Sequence, residues 1–229
     1  MNRFTPLLDQ PFWEEHRRKT ACSLGGKSLS GSLYKVLDQD LDTLHTLVHP
    51  QMLYAEYSIN ALDEYIHTQA GSIESRMFSR LARGCSPDCS VIFMVATLGR
   101  GFDTYSSLIK DLSRQFMVDT AGSVCVEMAA DLLQDHLLEQ AEQQGKDVGM
   151  RFSPGYCDWD LSGQRLIFDA LDAGTIGVSL NDYDVMAPSK TISAAVLMAT
   201  DVPVKVPCRF CERDDCPWRR LPYGKAGSE

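Results

Sequence analysis

Arg151-Phe152-Ser153-Pro154-Gly155-Tyr156, followed by Cys157-Asp158-Trp159-Asp160, is the stretch around which the rest of the chain is organised. Within six residues it places a permanently charged guanidinium, a rigid Pro-Gly turn and an aromatic ring. Pro154 fixes its own φ and pushes Ser153 toward extended geometry, while Gly155 can take positive φ and let a ligand approach the backbone. Arg151 offers a planar fork to a carboxylate, and Tyr156 offers a ring face with a hydroxyl handle. The combination suits a small ligand that is both anionic and aromatic. Read alone, the same six residues also describe an ordinary Pro-Gly turn with a surface arginine and a packed tyrosine.

Working outward, residues 119–144 carry Val124, Met128, Leu132, Leu133 and Leu137 at helical spacing, with Gly145 where a C-cap glycine belongs. The small residues Ala121, Gly122, Ser123, Ala129 and Ala130 let another backbone or a ligand come close to this helix. Glu127, between Val126 and Met128, reads by itself as a solvated carboxylate. Downstream, Asp160 or Ser162 caps a helix that runs through Leu171 and stops at Gly174. Residues 176–180 and 191–198 read as two antiparallel strands around a turn at 186–190, forming a floor for a pocket beside the motif.

Residues 90–98, Ser-Val-Ile-Phe-Met-Val-Ala-Thr-Leu, are short, apolar and rich in β-branched side chains, which predicts a buried strand. Gly99 and Gly101 after it read as a tight turn, because the third position of a dinucleotide fingerprint is Thr104. Pro50 separates two segments with apolar residues at helical spacing, 33–48 and 52–67, so two packed helices are expected. A further helix is expected over 73–81, ending at Gly84. Residues 1–31 show no regular pattern.

The composition, 44% hydrophobic and 23% charged over 229 residues, is that of a globular protein with a sizeable core. No run approaches the ~20 apolar residues of a membrane span, and the amino-terminal segment lacks a secretory pattern, so a cytoplasmic protein without a membrane partner is expected. The formal charge of −9 argues against nucleic acid as a partner. Eight cysteines in a reducing compartment should be thiols or metal ligands. Cys208-x-x-Cys211-x4-Cys216 has the spacing at which thiolates chelate zinc or the iron of an iron–sulfur cluster. A fourth ligand must come from Cys22, Cys85, Cys89, Cys157, a histidine, a partner or solvent. Reduced thiols without metal fit the same pattern, and Cys85-x3-Cys89 reads as two thiols in a turn.

Taken together, Arg151-x-x-x-Gly155-Tyr156, the helix with Ala121-Gly122-Ser123 and Glu127, and Pro188-Ser189-Lys190-Thr191-Ile192-Ser193 resemble the activation domain of cobalamin-dependent methionine synthase. The likeness is strongest to short free-standing members of that family, over roughly residues 91–199. It implies an α+β fold, a twisted antiparallel sheet flanked by helices. Residues 1–84 would form a mostly helical region, 85–200 the S-adenosylmethionine-binding domain, and 201–229 a linker and cysteine-bearing tail.

The resemblance also implies the site. Arg151 would pair with the methionyl carboxylate, Ser153 and Gly155 would bring backbone to the ligand, and Tyr156 would pack near the adenosyl or sulfonium group. Glu127 would complement positive charge. One departure is Leu180-Asn181-Asp182, where the family commonly has Leu-Thr-Glu. No Asp-x-His-x-x-Gly corrinoid loop occurs, so the cobalamin is expected on a partner corrinoid protein or methyltransferase. The chain would act in trans, as a methyltransferase-associated component of the reductive methylation that rescues inactive cob(II)alamin. Cys208, Cys211 and Cys216 would hold iron–sulfur and pass the electron, or hold zinc, with a separate electron donor behind them. The alternative reading is a ligand-binding regulator with a zinc-bearing carboxy-terminal module.

Overall fold

The computed structural model of the chain describes residues 1–25 and 31–202. At its centre lies β5 (Ser90–Thr97), every residue of which is buried. Antiparallel neighbours flank it on both sides. β2 (Gln51–Leu62) pairs from Gln51 opposite Thr97 to Ser58 opposite Ser90, and β9 (Thr191–Ala199) from Thr191 opposite Thr97 to Met198 opposite Ser90. β3 (Ile66–Thr68) and β4 (Gly71–Ile73) extend the sheet beyond the far half of β2, and β1 (Asn2–Phe4) pairs with its first half. β6 (Asp147–Val148) closes the other edge against β9.

The period-2 alternation of a strand sorts the sheet's side chains into two cores. Ile92, Met94 and Ala96 of β5 face one way, with Met52, Tyr54, Ala194, Val196 and Met198. Over them pack α1 (Gln10–Ser23), α2 (Gly31–Leu47), α4 (Arg100–Leu108) and the long α5 (Leu112–Glu142). Val91, Phe93 and Val95 face the other way, with Leu53, Ala55, Ala195 and Leu197, beneath α3 (Arg76–Arg83) and α6 (Gln164–Leu171). Helices thus cover both faces of one antiparallel sheet, an α+β architecture as expected. The sheet is continuous across residue 84, since β2 and β5 are its most extensively paired strands.

The two best-read elements hold. Residues 90–97 form the buried strand, and the long helix is present with an earlier start, Asp111 accepting from the Arg114 N–H at 2.7 Å as N-cap. Gly99 precedes α4 at φ 81, making the tight turn read from the sequence. The expected helix over 73–81 is α3, capped by Ser75. Asp160 caps a 3-10 turn, Leu161–Gly163, that leads into α6, which stops at left-handed Asp172, two residues before Gly174.

Three expectations are corrected. The helix expected over 52–67 is β2 and β3: residues 52–55 are all buried, between the two cores, so the alternation that marks a strand is erased there. Residues 1–31, read as irregular, contain β1 and α1, whose start is marked by N-cap Asp9 and Pro11. Of 176–180 only β7 (Ser179–Leu180) is strand, and it pairs with β8 (Met186–Ala187), not with β9. The floor beside the motif is therefore β9 itself.

Candidate functional site

Phe152 seats the motif on the sheet. Its N–H donates to the Ala195 carbonyl and its own carbonyl accepts from the Ala195 N–H, both at 2.8 Å, an isolated antiparallel bridge onto β9. The Phe152 ring turns into the α3/α6 core, against Phe78 at 4.9 Å and Trp159 at 5.9 Å, which are 6.2 Å from each other, so that the three nearly parallel rings form a triangular cluster. Asp158 fastens the same loop to α3, accepting from the Ser75 hydroxyl at 2.5 Å and the Met77 N–H at 3.0 Å.

Extended geometry at Phe152 sends Arg151 the opposite way, toward α5. There its Nη2 donates to Glu127 at 3.1 Å and Asp131 at 2.8 Å, and its Nη1 donates to the Gln134 side-chain oxygen at 3.2 Å. Gln134 is itself oriented by donating to the Gly149 carbonyl at 2.8 Å. The arginine side chain is 15% exposed and both carboxylates are more than half exposed, so the cation lies inside and the acids line the rim.

The turn after Phe152 is closed by its own backbone. Tyr156 donates to the Ser153 carbonyl at 3.2 Å, Trp159 to that of Tyr156 at 3.0 Å, and Gly155 to that of Trp159 at 2.8 Å. Gly155 takes φ 88, the left-handed region in which a side chain is strained, as the Pro-Gly reading required. The Tyr156 ring, 56% exposed, stands on the surface, and Ser153 is half-buried beneath the turn. Of the residues singled out in the sequence, Arg151 and Glu127 are joined directly, and Ser153, Gly155 and Tyr156 follow within the adjoining turn.

Asp131 and Gln134 were not foreseen. They stand four and seven positions after Glu127, one side of a helix, and a search for polar residues at that spacing would have found them. The stripe continues toward the amino end of α5. Lys190, at the threshold of β9, donates to Asp119 at 2.6 Å and to the Ser123 hydroxyl at 3.0 Å, with its ammonium 5.3 Å from the centre of the Phe102 ring. The segment 188–191 is fixed further by Asp103, which accepts from the backbone N–H of Ser189 at 2.9 Å and from its hydroxyl.

Two surface clefts of about 420 and 460 Å3 lie elsewhere, meeting at Trp13 and His45 on the α1/α2 side. Burial is the main cause that holds the His45 imidazole down at about 4 there. Among the described residues no three His, Cys, Asp or Glu side chains are grouped to hold a metal ion, and Cys208, Cys211 and Cys216 lie outside those residues. Nor is any helix among them long and apolar enough to cross a membrane.

The class this architecture defines is an α+β domain in which an Arg-bearing loop bridges to a sheet strand beneath one long helix. The crystal structure of the MetH reactivation domain bound to AdoHcy has that fold: it matches with a TM-score of 0.63 over 90% of this chain and 79% of that one, at 14% identity. At that identity the likeness is one of fold. No family model matches the sequence, and no curated protein matches it.

Proposed function

We propose that this chain binds S-adenosylmethionine at the Arg151–Tyr156 loop and assists the reductive methylation of a corrinoid carried by a partner methionine synthase or corrinoid methyltransferase. The observation that carries this reading is the fold shared, over nine-tenths of the chain, with a reactivation domain whose structure holds AdoHcy, the demethylated form of that ligand.

The site's chemistry agrees. A methionyl group is a zwitterion, and the α5 rim offers both signs. Arg151 uses three of its five N–H groups on Glu127, Asp131 and Gln134, leaving two for a ligand carboxylate. The half-exposed carboxylates of Glu127 and Asp131 receive an ammonium or complement a sulfonium. Gly155 lets the ligand approach the backbone, Ser153 sits at the base of the turn, and the exposed Tyr156 ring offers a face to the adenosyl or sulfonium end. A bound sulfonium supplies the methyl group, and the partner's corrinoid, reduced by an external electron donor, takes it. This chain's own residues bind and orient the ligand, so no general acid or base is assigned. Calorimetric titration of the full chain with S-adenosylmethionine and with AdoHcy tests the reading. Saturable binding of both is expected, and absence of binding ends it.

A further inference from the structure

The β3–β4 hairpin ends the sheet on the side away from the Arg151 loop, which bridges to β9. Ile66 and Ile73 pair across the hairpin and are fully buried, so the alternation of a strand turns the next pair, His67 and Ser72, toward solvent. There the His67 Nδ1 lies 2.7 Å from the Ser72 hydroxyl, and its Nε2 lies 3.0 Å from the Asp63 carboxylate. Ser72 is exposed, and the neighbour of His67 on the β2 side of the row is Ala61, also exposed, with a single methyl to set beside the imidazole.

Asp63 settles the tautomer of the ring between them. First the Tyr65 N–H, at 2.9 Å, and then His67 hold its carboxyl below the usual carboxylate range, so at neutral pH it only accepts. In the neutral imidazole Nε2 must therefore carry the proton, and the Nδ1 lone pair accepts from the Ser72 hydroxyl. A carboxylate on one ring nitrogen and a hydroxyl on the other is the polarity of a general base set against a nucleophile, at a distance within proton-transfer reach. The two nitrogens are exchanged relative to the usual serine hydrolase order, but the relay requires only that one donates while the other accepts. Helix α3 holds the acid in place: the Ser79 hydroxyl, at 2.6 Å, and Arg83 both donate to the Asp63 carbonyl. β4 is the last strand of its sheet, so the N–H groups along its outer side have no partner strand and can serve an oxyanion.

We propose that Ser72, His67 and Asp63 form a second site, for acyl transfer from short-chain activated esters, with Ser72 as nucleophile, His67 as general base and Asp63 as positioning residue. Ser72 Oγ adds to the ester carbonyl carbon as its proton passes to Nδ1 of His67. The tetrahedral adduct collapses, the bond from carbon to the leaving oxygen breaks, and the proton on Nδ1 goes to that oxygen. A water then adds to the acyl-Ser72 carbonyl, giving a proton to Nδ1. That proton returns to Ser72 Oγ as the carboxylic acid leaves. The inference is independent of the S-adenosylmethionine site.

The full chain is treated with 4-nitrophenyl acetate and, separately, with a fluorophosphonate probe, and adducts are mapped by mass spectrometry. Both reagents should mark Ser72 ahead of every other serine. Nitrophenol release above the buffer rate should be lost in Ser72→Ala and fall at least about tenfold in His67→Gln, with the melting temperature of each variant near that of the wild type. Unfolding the wild type in urea should bring Ser72 labelling down to that of the other serines, a control that needs no variant. For Asp63, nitrogen NMR of the ring should show the Nε2–H tautomer in the wild type and its loss in Asp63→Ala, with slower labelling of Ser72. No adduct at Ser72 in the folded chain, equal labelling in urea, or labelling undiminished by His67→Gln overturns the proposal. An Nδ1–H tautomer in the wild type overturns it as well, since the serine would then face a donor.

Discussion

Lys190 and Arg151 are two cations held against one helix, and they differ in what lies on their open sides. Both are sheltered, at 10% and 15% side-chain exposure, and both face half-exposed carboxylates of α5. Lys190 lies over Phe102, which is packed so tightly against α5 that a Cβ on Gly122 would meet its ring at 2.3 Å and the Lys190 stem at 3.0 Å. Arg151 instead adjoins a turn with a left-handed glycine and an exposed tyrosine, and it keeps unspent donors. A cation closed in on every side locks the strand to the helix. A similar cation left with an open edge is available to a ligand.

The largest effect that would sharpen this contrast is on the closed side. Phe102→Ala removes a fully buried ring from beneath Lys190 and should lower unfolding free energy by about 3–5 kcal/mol in urea titration. Arg151→Ala should cost about 1.5–3 kcal/mol of S-adenosylmethionine binding, the loss of charged hydrogen bonds, with little change in melting temperature. Equal damage to stability would show Arg151 to be a second lock. Lys190→Met keeps the stem over Phe102 while deleting the charge, and should destabilise by about 1 kcal/mol while leaving ligand affinity unchanged. If it abolished binding, the two ends of the stripe would be one site. Smallest is Glu127→Gln, which spares the shape of an exposed rim pair and should weaken binding by less than about 1 kcal/mol by calorimetry.

What the sequence discloses follows from how many faces of each element are covered. β5 is buried on both faces and reads as an unbroken apolar run, and α5 carries its periodicity over eight turns, so both were legible. β2 misled because its first residues lie between two cores while Leu53, Tyr57, Ala61 and Tyr65 happen to fall four apart. α1 was missed because two of its three buried residues are His16 and Thr20, polar side chains that no apolar pattern counts. His16 tolerates burial by bonding the Ala121 carbonyl at 2.8 Å, a partner 105 residues away that only tertiary structure supplies. The motif loop was visible from Pro154 and Gly155, but Asp131 and Gln134 became part of the site only once the bridge between Phe152 and Ala195 aimed Arg151 at α5.

The ring cluster of Phe78, Phe152 and Trp159 gives the proposed site its own optical reporter. The Trp159 indole is shut away from water, closes the loop through its backbone, and lies against Gly163, where a Cβ would stand 2.1 Å from its Nε1. Any rearrangement of residues 153–158 around an incoming molecule must alter the field on that indole. Of the chain's three tryptophans, Trp13 stands on α1 beside His45 and Trp218 lies outside the described residues. A chain carrying Trp13→Phe and Trp218→Phe would therefore emit from the loop alone, allowing association and release to be followed by stopped-flow fluorescence without any label.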